Sequence, residues 1–305
     1  MKKAWYILNY HDISWEQNEY LNAVGESFPP DIFSEHVAAL SNEFELVSIQ
    51  TGWERLKKGE INSPILSFWF DDGYTGVRRY AEPILSEKKV AGGVAVNSDF
   101  LLRKDFFWRL KLSYLSNVDG LRFLRPILRE NGYKTGDSIR EFTLTHVNET
   151  IVDGINKIYE QLSSPLQRED SWRLFEDIDG IKQLAAKGWD ISNHTCGHFP
   201  LLNKPDFFSI QNQFKSCEER LVKHLGFGTT FWVLPFGRPF YNQLDHQRLF
   251  EKNAPDDKIM VYGNDLLNKT GELQKRELYR ITVKLIRSDK LLKYLKRLKP
   301  FKGKD

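Results

Sequence analysis

Apolar residues along the chain fall into short runs that end abruptly in polar clusters. Residues 4–9 (AWYILN) read as a buried strand, and the run stops at His11-Asp12. Pro29-Pro30-Asp31 opens a segment with apolar residues at Ile32, Phe33, Val37 and Leu40, the spacing of a capped amphipathic helix over 29–40. Phe44–Ile49 alternates as a strand does. Pro64–Phe70 is apolar almost throughout, as a parallel strand buried on both faces should be, and ends at Asp71-Asp72-Gly73. The pattern then predicts a helix over 74–88 and a strand over 90–96 that ends at Asn97-Ser98-Asp99. Gly188–Ser192 leads into Asn193-His194, and Thr230–Leu234 leads into Pro235. One more strand is predicted over Leu278–Leu285.

Strand-then-helix units with polar residues at the strands' carboxyl ends describe an α/β barrel or an open parallel sheet. Residues 101–180 break the rhythm with helical spacing and read as a helical insertion. Its aromatic patch Phe106-Phe107-Trp108 is expected to pack the insertion's own core, with stacking on sugar rings as the alternative. Residues 288–299 form a basic amphipathic helix whose stripe is Leu291, Leu295 and Leu298. That helix is expected to cover the barrel, and docking on an anionic membrane surface is the alternative not favoured.

Composition changes this picture little. The 305 residues are 41% hydrophobic and 28% charged, enough for a sizeable core. The net charge of +3 is too mild to suggest a nucleic-acid partner. Two cysteines, Cys196 and Cys217, do not make a disulfide framework. The apolar run at the start carries no cleavage site, and no run approaches the ~20 residues of a membrane span, so the expectation is a soluble cytoplasmic chain.

Three polar clusters carry the candidate chemistry. Adjacent carboxylates Asp71 and Asp72 at the end of an apolar strand are costly unless a cation relieves them, although an aspartate there also caps helices. His194-Thr195-Cys196-Gly197-His198 can present two imidazoles to one ion if the chain turns helically between them. In such a turn Cys196 would face away. Pro235-Phe236-Gly237 forces a tight turn that either exposes backbone N–H groups to a ligand or simply joins strand to helix.

Together, and in this order, Phe70-Asp71-Asp72-Gly73, His194–His198 and Pro235-Phe236-Gly237 resemble the motifs of the polysaccharide deacetylase family, the NodB-homology or carbohydrate esterase family 4 group. The resemblance spans about residues 4–285 outside the insertion. It implies a single catalytic domain, a distorted TIM-like (β/α) barrel of seven units. It also implies a metal-dependent hydrolase that removes the N-acetyl group from an amino sugar in a surface polysaccharide or its precursor. Asp72, His194 and His198 would hold one divalent metal, zinc by default, with Fe, Co, Ni or Mn as alternatives. Asp71 would be the general base, and the backbone N–H of Phe236 would face the oxyanion. The family's arginine two places before the proline is Val233 here, and Arg238 is the nearby candidate replacement. Tyr74 and Asn97 are candidates to line the substrate pocket. The family's late histidine is missing, since no histidine follows His246, which looks like helix surface. His11 resembles the acid of the circularly permuted exopolysaccharide de-N-acetylase branch, with Asp12 beside it. Two alternatives stay open: hydrolysis of another amide, such as an N-formyl sugar, and a weak carbohydrate-binding protein that keeps the metal site.

Overall fold

In this computed structural model the described residues are 1–15, 18–21, 27–201, 208–238, 243–270, 276–284 and 287–299. The strands are β1 (Trp5–Tyr10), β2 (Asp12–Ile13), β3 (Ser27–Phe28), β4 (Glu45–Leu46), β5 (Ile65–Phe70) and β6 (Gly93–Val96). They continue with β7 (Asp190–Asn193), β8 (Phe231–Val233), β9 (Ile259–Tyr262), β10 (Glu277–Tyr279) and β11 (Ile281–Thr282). Helices α1 (Pro30–Ser41), α2 (Ile49–Lys58), α3 (Glu82–Glu87) and α4 (Ser98–Leu101) come early. Next are α5 (Trp108–Asn117), α6 (Arg125–Glu130), α7 (Ile139–His146), α8 (Glu149–Leu162) and α9 (Pro165–Ser171). Last come α10 (Ile178–Ala186), α11 (Ser216–Leu225), α12 (Gln243–Asn253) and α13 (Ser288–Arg297).

The chain groups into two compact units. The first, residues 1–15, 28–102 and 175–305, is a distorted TIM-like barrel of parallel strands in the order β10-β9-β8-β7-β6-β5-β1-β11, with β4 paired to β5. The two ends of this order are consecutive in sequence. Glu277–Tyr279 pairs with β9, and Ile281–Thr282 pairs with β1. One interrupted strand therefore closes the ring, and Arg280 sits at the break. Counted this way the ring has seven positions, with β4 a short eighth strand.

Alternation sorts the strand residues into two layers. Trp5 and Ile7 of β1, Ile65 and Trp69 of β5, Phe231 and Val233 of β8, Val261 of β9 and Leu278 of β10 pack together inside the barrel. Tyr6, Leu8 and Tyr10, with Leu66, Phe68 and Phe70, pack outward beneath the helices. Both faces are buried, which is why these strands read as unbroken apolar runs. At the strands' amino ends the interior is filled by Ile49, Trp53 and Leu56 of α2. Gly52 permits this approach, since a Cβ there would stand 2.3 Å from Cε2 of Trp5. The carboxyl ends carry the polar clusters.

Local competition moved several expected boundaries. The strand expected over Phe44–Ile49 shrinks to Glu45–Leu46, because the Ser48 side chain accepts a 3.1 Å hydrogen bond from the Thr51 N–H and starts α2. The helix expected over 74–88 divides into a π-helical turn, Val77–Ala81, and α3, with a proline in the first turn of α3. The strand expected over Leu278–Leu285 ends at Thr282, and Leu285 lies outside the described residues. The stripe of α13 is spent inside the molecule: Leu291, Leu295 and Leu298 join the outer core, while Lys290, Lys293, Lys296 and Arg297 are exposed. Among the described residues no helix is long and apolar enough to cross a membrane.

The second unit comprises residues 16–27 and 103–174 and contains α5–α9. Phe106, Phe107 and Trp108 are buried, as packing requires. Tyr20 stacks on Tyr114 at 5.3 Å, and its hydroxyl lies 3.0 Å from that of Tyr159. Lys111 is buried but satisfied, donating at 2.7 Å to Asp105 and to Asn156.

Candidate active site

The carboxyl end of the barrel gathers Asp72, His194 and His198. Asp72 follows β5 in the left-handed region, φ 69°, and Gly73 continues it at φ 71°. His194 follows β7. Its Nδ1 donates to the Val233 carbonyl at 2.8 Å, which fixes the tautomer and leaves Nε2 to face Asp72. That Nε2 is buried without a hydrogen-bond partner. The chain from His194 to His198 is not helical, contrary to expectation. Thr195 (φ 72°) and His198 (φ 56°) both take left-handed backbone, and the His198 N–H donates to the Thr195 hydroxyl at 3.1 Å. This tight loop still brings the imidazoles together, with ring centroids 4.7 Å apart.

His194 Nε2 lies 3.6 Å and His198 Nε2 3.7 Å from Asp72 Oδ1, and one ligand atom from each of the three residues lies within 4.8 Å of the others. Donor atoms on a tetrahedral ion with bonds near 2 Å stand about 3.4 Å apart, so two imidazoles and one carboxylate at this spacing fit a divalent metal. Burial lowers the pKa of His194 to about 4, despite the opposing pull of Asp71, so the ring is neutral, as a ligand must be. Cys196 is buried with its Sγ toward the Asn212 carbonyl and is not part of the donor set.

Asp71 is surrounded differently. Its N–H donates to the Tyr10 carbonyl, which ties the end of β5 to the end of β1. Arg280 Nη1 donates to Oδ1 at 2.5 Å and Nη2 to Oδ2 at 3.0 Å. Asn9 Nδ2 donates to Oδ2 at 3.1 Å, and Arg280 Nη1 donates to Asn9 Oδ1 at 2.9 Å. His194 Nε2 and His11 Nε2 stand 3.8 Å and 3.9 Å from Oδ2. Burial alone would raise the pKa of Asp71. The charge of Arg280, followed by His194, the guanidinium hydrogen bonds and His11, outweighs it and holds the carboxyl well below the usual carboxylate range. His11, at the end of β1, keeps 17% of its side chain exposed.

The other expected residues are placed as follows. Phe236 has φ 60°, and its ring meets His198 edge-on at 4.9 Å. Its turn needs Gly237, whose φ is 69° and whose Cβ would stand 2.9 Å from Gly263 Cα. Asn97 is buried, and its Nδ2 donates to the His194 carbonyl, so it braces the histidine loop. Tyr74 is fully buried and stacked on Phe175 at 5.1 Å. Asp12 accepts a 2.5 Å hydrogen bond from Ser14. Arg238 is exposed, and the guanidinium beside Asp71 is that of Arg280. His246 is not on the helix surface. It is buried, with Nδ1 3.1 Å from the Tyr262 hydroxyl. Sequence reasoning missed Arg280 and Asn9; for Asn9 the signal was a polar residue within an apolar strand.

Such a donor set at the mouth of such a barrel could hold an ion, with a second carboxylate beside it, as hydrolytic chemistry requires. The polysaccharide deacetylase family model matches residues 58–249, and the chain belongs to that family of carbohydrate deacetylases. Among solved structures it is similar to the Streptococcus pyogenes deacetylase PplD in complex with acetate, at TM-score 0.59 and 17% identity over 96% of this chain and 98% of that one. IcaB from Ammonifex degensii matches at TM-score 0.58 and 13% identity, over 96% and 97% of the two chains. A de-N-acetylase from Aggregatibacter actinomycetemcomitans matches at 0.57 and 14%, over 95% and 99%. These likenesses establish the fold. No curated protein sequence matches the chain significantly.

Proposed function

We propose that the protein is a metal-dependent de-N-acetylase that hydrolyses the acetamide of an N-acetylated amino sugar in a surface polysaccharide or its precursor. The observation that carries this reading is the pairing of two unlike carboxylates. Asp72 faces two imidazoles in a donor set fit for an ion, while the adjacent Asp71 faces a guanidinium and keeps one oxygen toward His11 and His194. When bound, the ion, zinc by default, polarises the amide carbonyl and makes water a better nucleophile.

The protein's own groups supply the rest. Asp71 stays ionised beside Arg280 and takes the proton from the attacking water through Oδ2. His11, 3.9 Å from that oxygen and partly open to solvent, delivers a proton to the departing amine. The Phe236 N–H, in its strained turn, hydrogen-bonds the oxyanion. Exposed Arg238 contacts the glycan beside that turn. Family membership supports the carbohydrate substrate, and the fold shared with a de-N-acetylase supports the amide.

Acetate release from a panel of N-acetylated glycans, with elemental analysis of the same samples, tests the reading. The parent protein should release acetate. Asp71→Asn should lose about 10²–10⁴-fold in rate while retaining its metal. Metal lost along with activity would reverse the roles of Asp71 and Asp72. Formate release from N-formyl sugars in place of acetate would redirect the substrate.

A further inference from the structure

Asp71 is held by a guanidinium that none of the three motifs supplies. Arg280 arrives from the opposite end of the chain, 209 residues from Asp71, at the break in the strand that closes the barrel. It is fully buried, and its guanidinium carbon lies 5.5 Å from the centre of the Trp69 ring, so packing limits its swing. Both carboxylate oxygens are engaged in the fork geometry that only arginine provides. Asn9, from the adjoining strand β1, fills a second site on Oδ2 and accepts from Arg280 in return. With its N–H₂ on Asp71 and its oxygen on Arg280, the Asn9 amide has a fixed orientation. With the carboxylate held this way, Oδ2 stands 3.9 Å from His11 Nε2 and 3.8 Å from His194 Nε2.

We propose that Arg280 and Asn9, reaching it from the seam of the barrel, are the positioning pair for Asp71. Neither residue touches substrate or ion in this scheme. The pair fixes the rotation of the carboxylate, so that its Oδ2 edge stays toward His11 and His194, where the water reacts. The inference rests on Asp71 being the base. Misdirecting a catalytic group by about 1 Å costs on the order of 100-fold in rate, whereas substrate affinity and metal content depend on other residues.

The test compares the parent with Arg280→Met, Arg280→Lys and Asn9→Leu, reading kcat, KM and bound metal on an N-acetylated glycan oligomer, and urea unfolding without substrate. R280M should lose about 100-fold in kcat, with KM within about threefold and metal content unchanged. R280K should stay at least about tenfold down, because an ammonium cannot make both bonds. In unfolding, R280M should have a lower midpoint than the parent, and adding Asp71→Asn to R280M should raise it again, since that removes a buried unpaired carboxylate. N9L carries the kinetic test should R280M fail to fold, and its kcat should fall about tenfold. A kcat within threefold of the parent in R280M or N9L overturns the proposal. So does metal lost in step with kcat, which makes the pair part of the ion's scaffold. A parent that releases no acetate sinks the deacetylase reading instead, and the order of the unfolding midpoints still judges the contact between Arg280 and Asp71.

Discussion

Asp71 and Asp72 are the same side chain on neighbouring residues, and their surroundings give them separate chemistry. A permanent cation and an amide pin Asp71, whereas Asp72 meets two imidazoles that can be neutral. Such divergence between paired carboxylates is how one site divides binding from proton transfer. His11 completes the arrangement on the solvent side. Replacing it with alanine should reduce kcat on an N-acetylated sugar by about 10²-fold, leaving KM and metal content unchanged. The loss should shrink on an aryl acetate, whose leaving group departs without protonation, and equal losses on both substrates would remove His11 as the acid. His194 and His198 were legible in sequence because they lie four residues apart. Arg280 was not, because its partner is distant and nothing local distinguishes it from an arginine at a strand end.

At the scale of elements, strand ends and the turns after them make the site. Of eight non-glycine residues with positive φ among those described, Asp72, Thr195, His198 and Phe236 belong to it. Strain of this kind persists only where the surroundings over-determine the backbone, and here close-packed barrel strands do so. Periodicity revealed the strands because both faces are apolar, but it could not foresee that Ser48 would cap a helix. It also misjudged α12, where His246 and Phe250, with Ala254 just past the helix end, recur every four residues and are all buried. Counting histidine as polar hides that stripe. Burial holds the pKa of His246 down, at about 4 against an ordinary 6.5. The unfolded chain therefore takes up a proton near pH 6.5 that the folded chain refuses until about pH 4. Stability falls as pH drops through that window, by up to about 3 kcal/mol from this group. His246→Gln should flatten the acid limb of urea stability between pH 6.5 and 4. A parallel slope in both proteins would show that other groups govern it.

At the scale of the whole molecule, an ion at the triad links barrel strands that are distant in sequence, since Asp72 follows β5 and the histidines follow β7. Binding to the folded chain alone stabilises it by about 2.7 kcal/mol when the ion is at 100 times its dissociation constant. Thermal unfolding after chelation should thus shift down by several degrees, and added zinc should restore the shift saturably. Asp72→Ala should show neither response. A chelation shift that survives in D72A would place the ion elsewhere.

The ring closes through residues at opposite ends of the chain: Arg280 bonds Asn9 across 271 residues, and Ile281 pairs with Leu8. During synthesis β1 therefore waits for this neighbour until residues 281–282 have been translated. Contacts of such sequence separation form late, after loop-closure entropy has been overcome. Because the same strand brings Arg280 to Asp71, closing the ring and pinning that carboxylate are one event. A nascent chain that stops short of Arg280 contains both carboxylates and both histidines and still leaves Asp71 without its guanidinium.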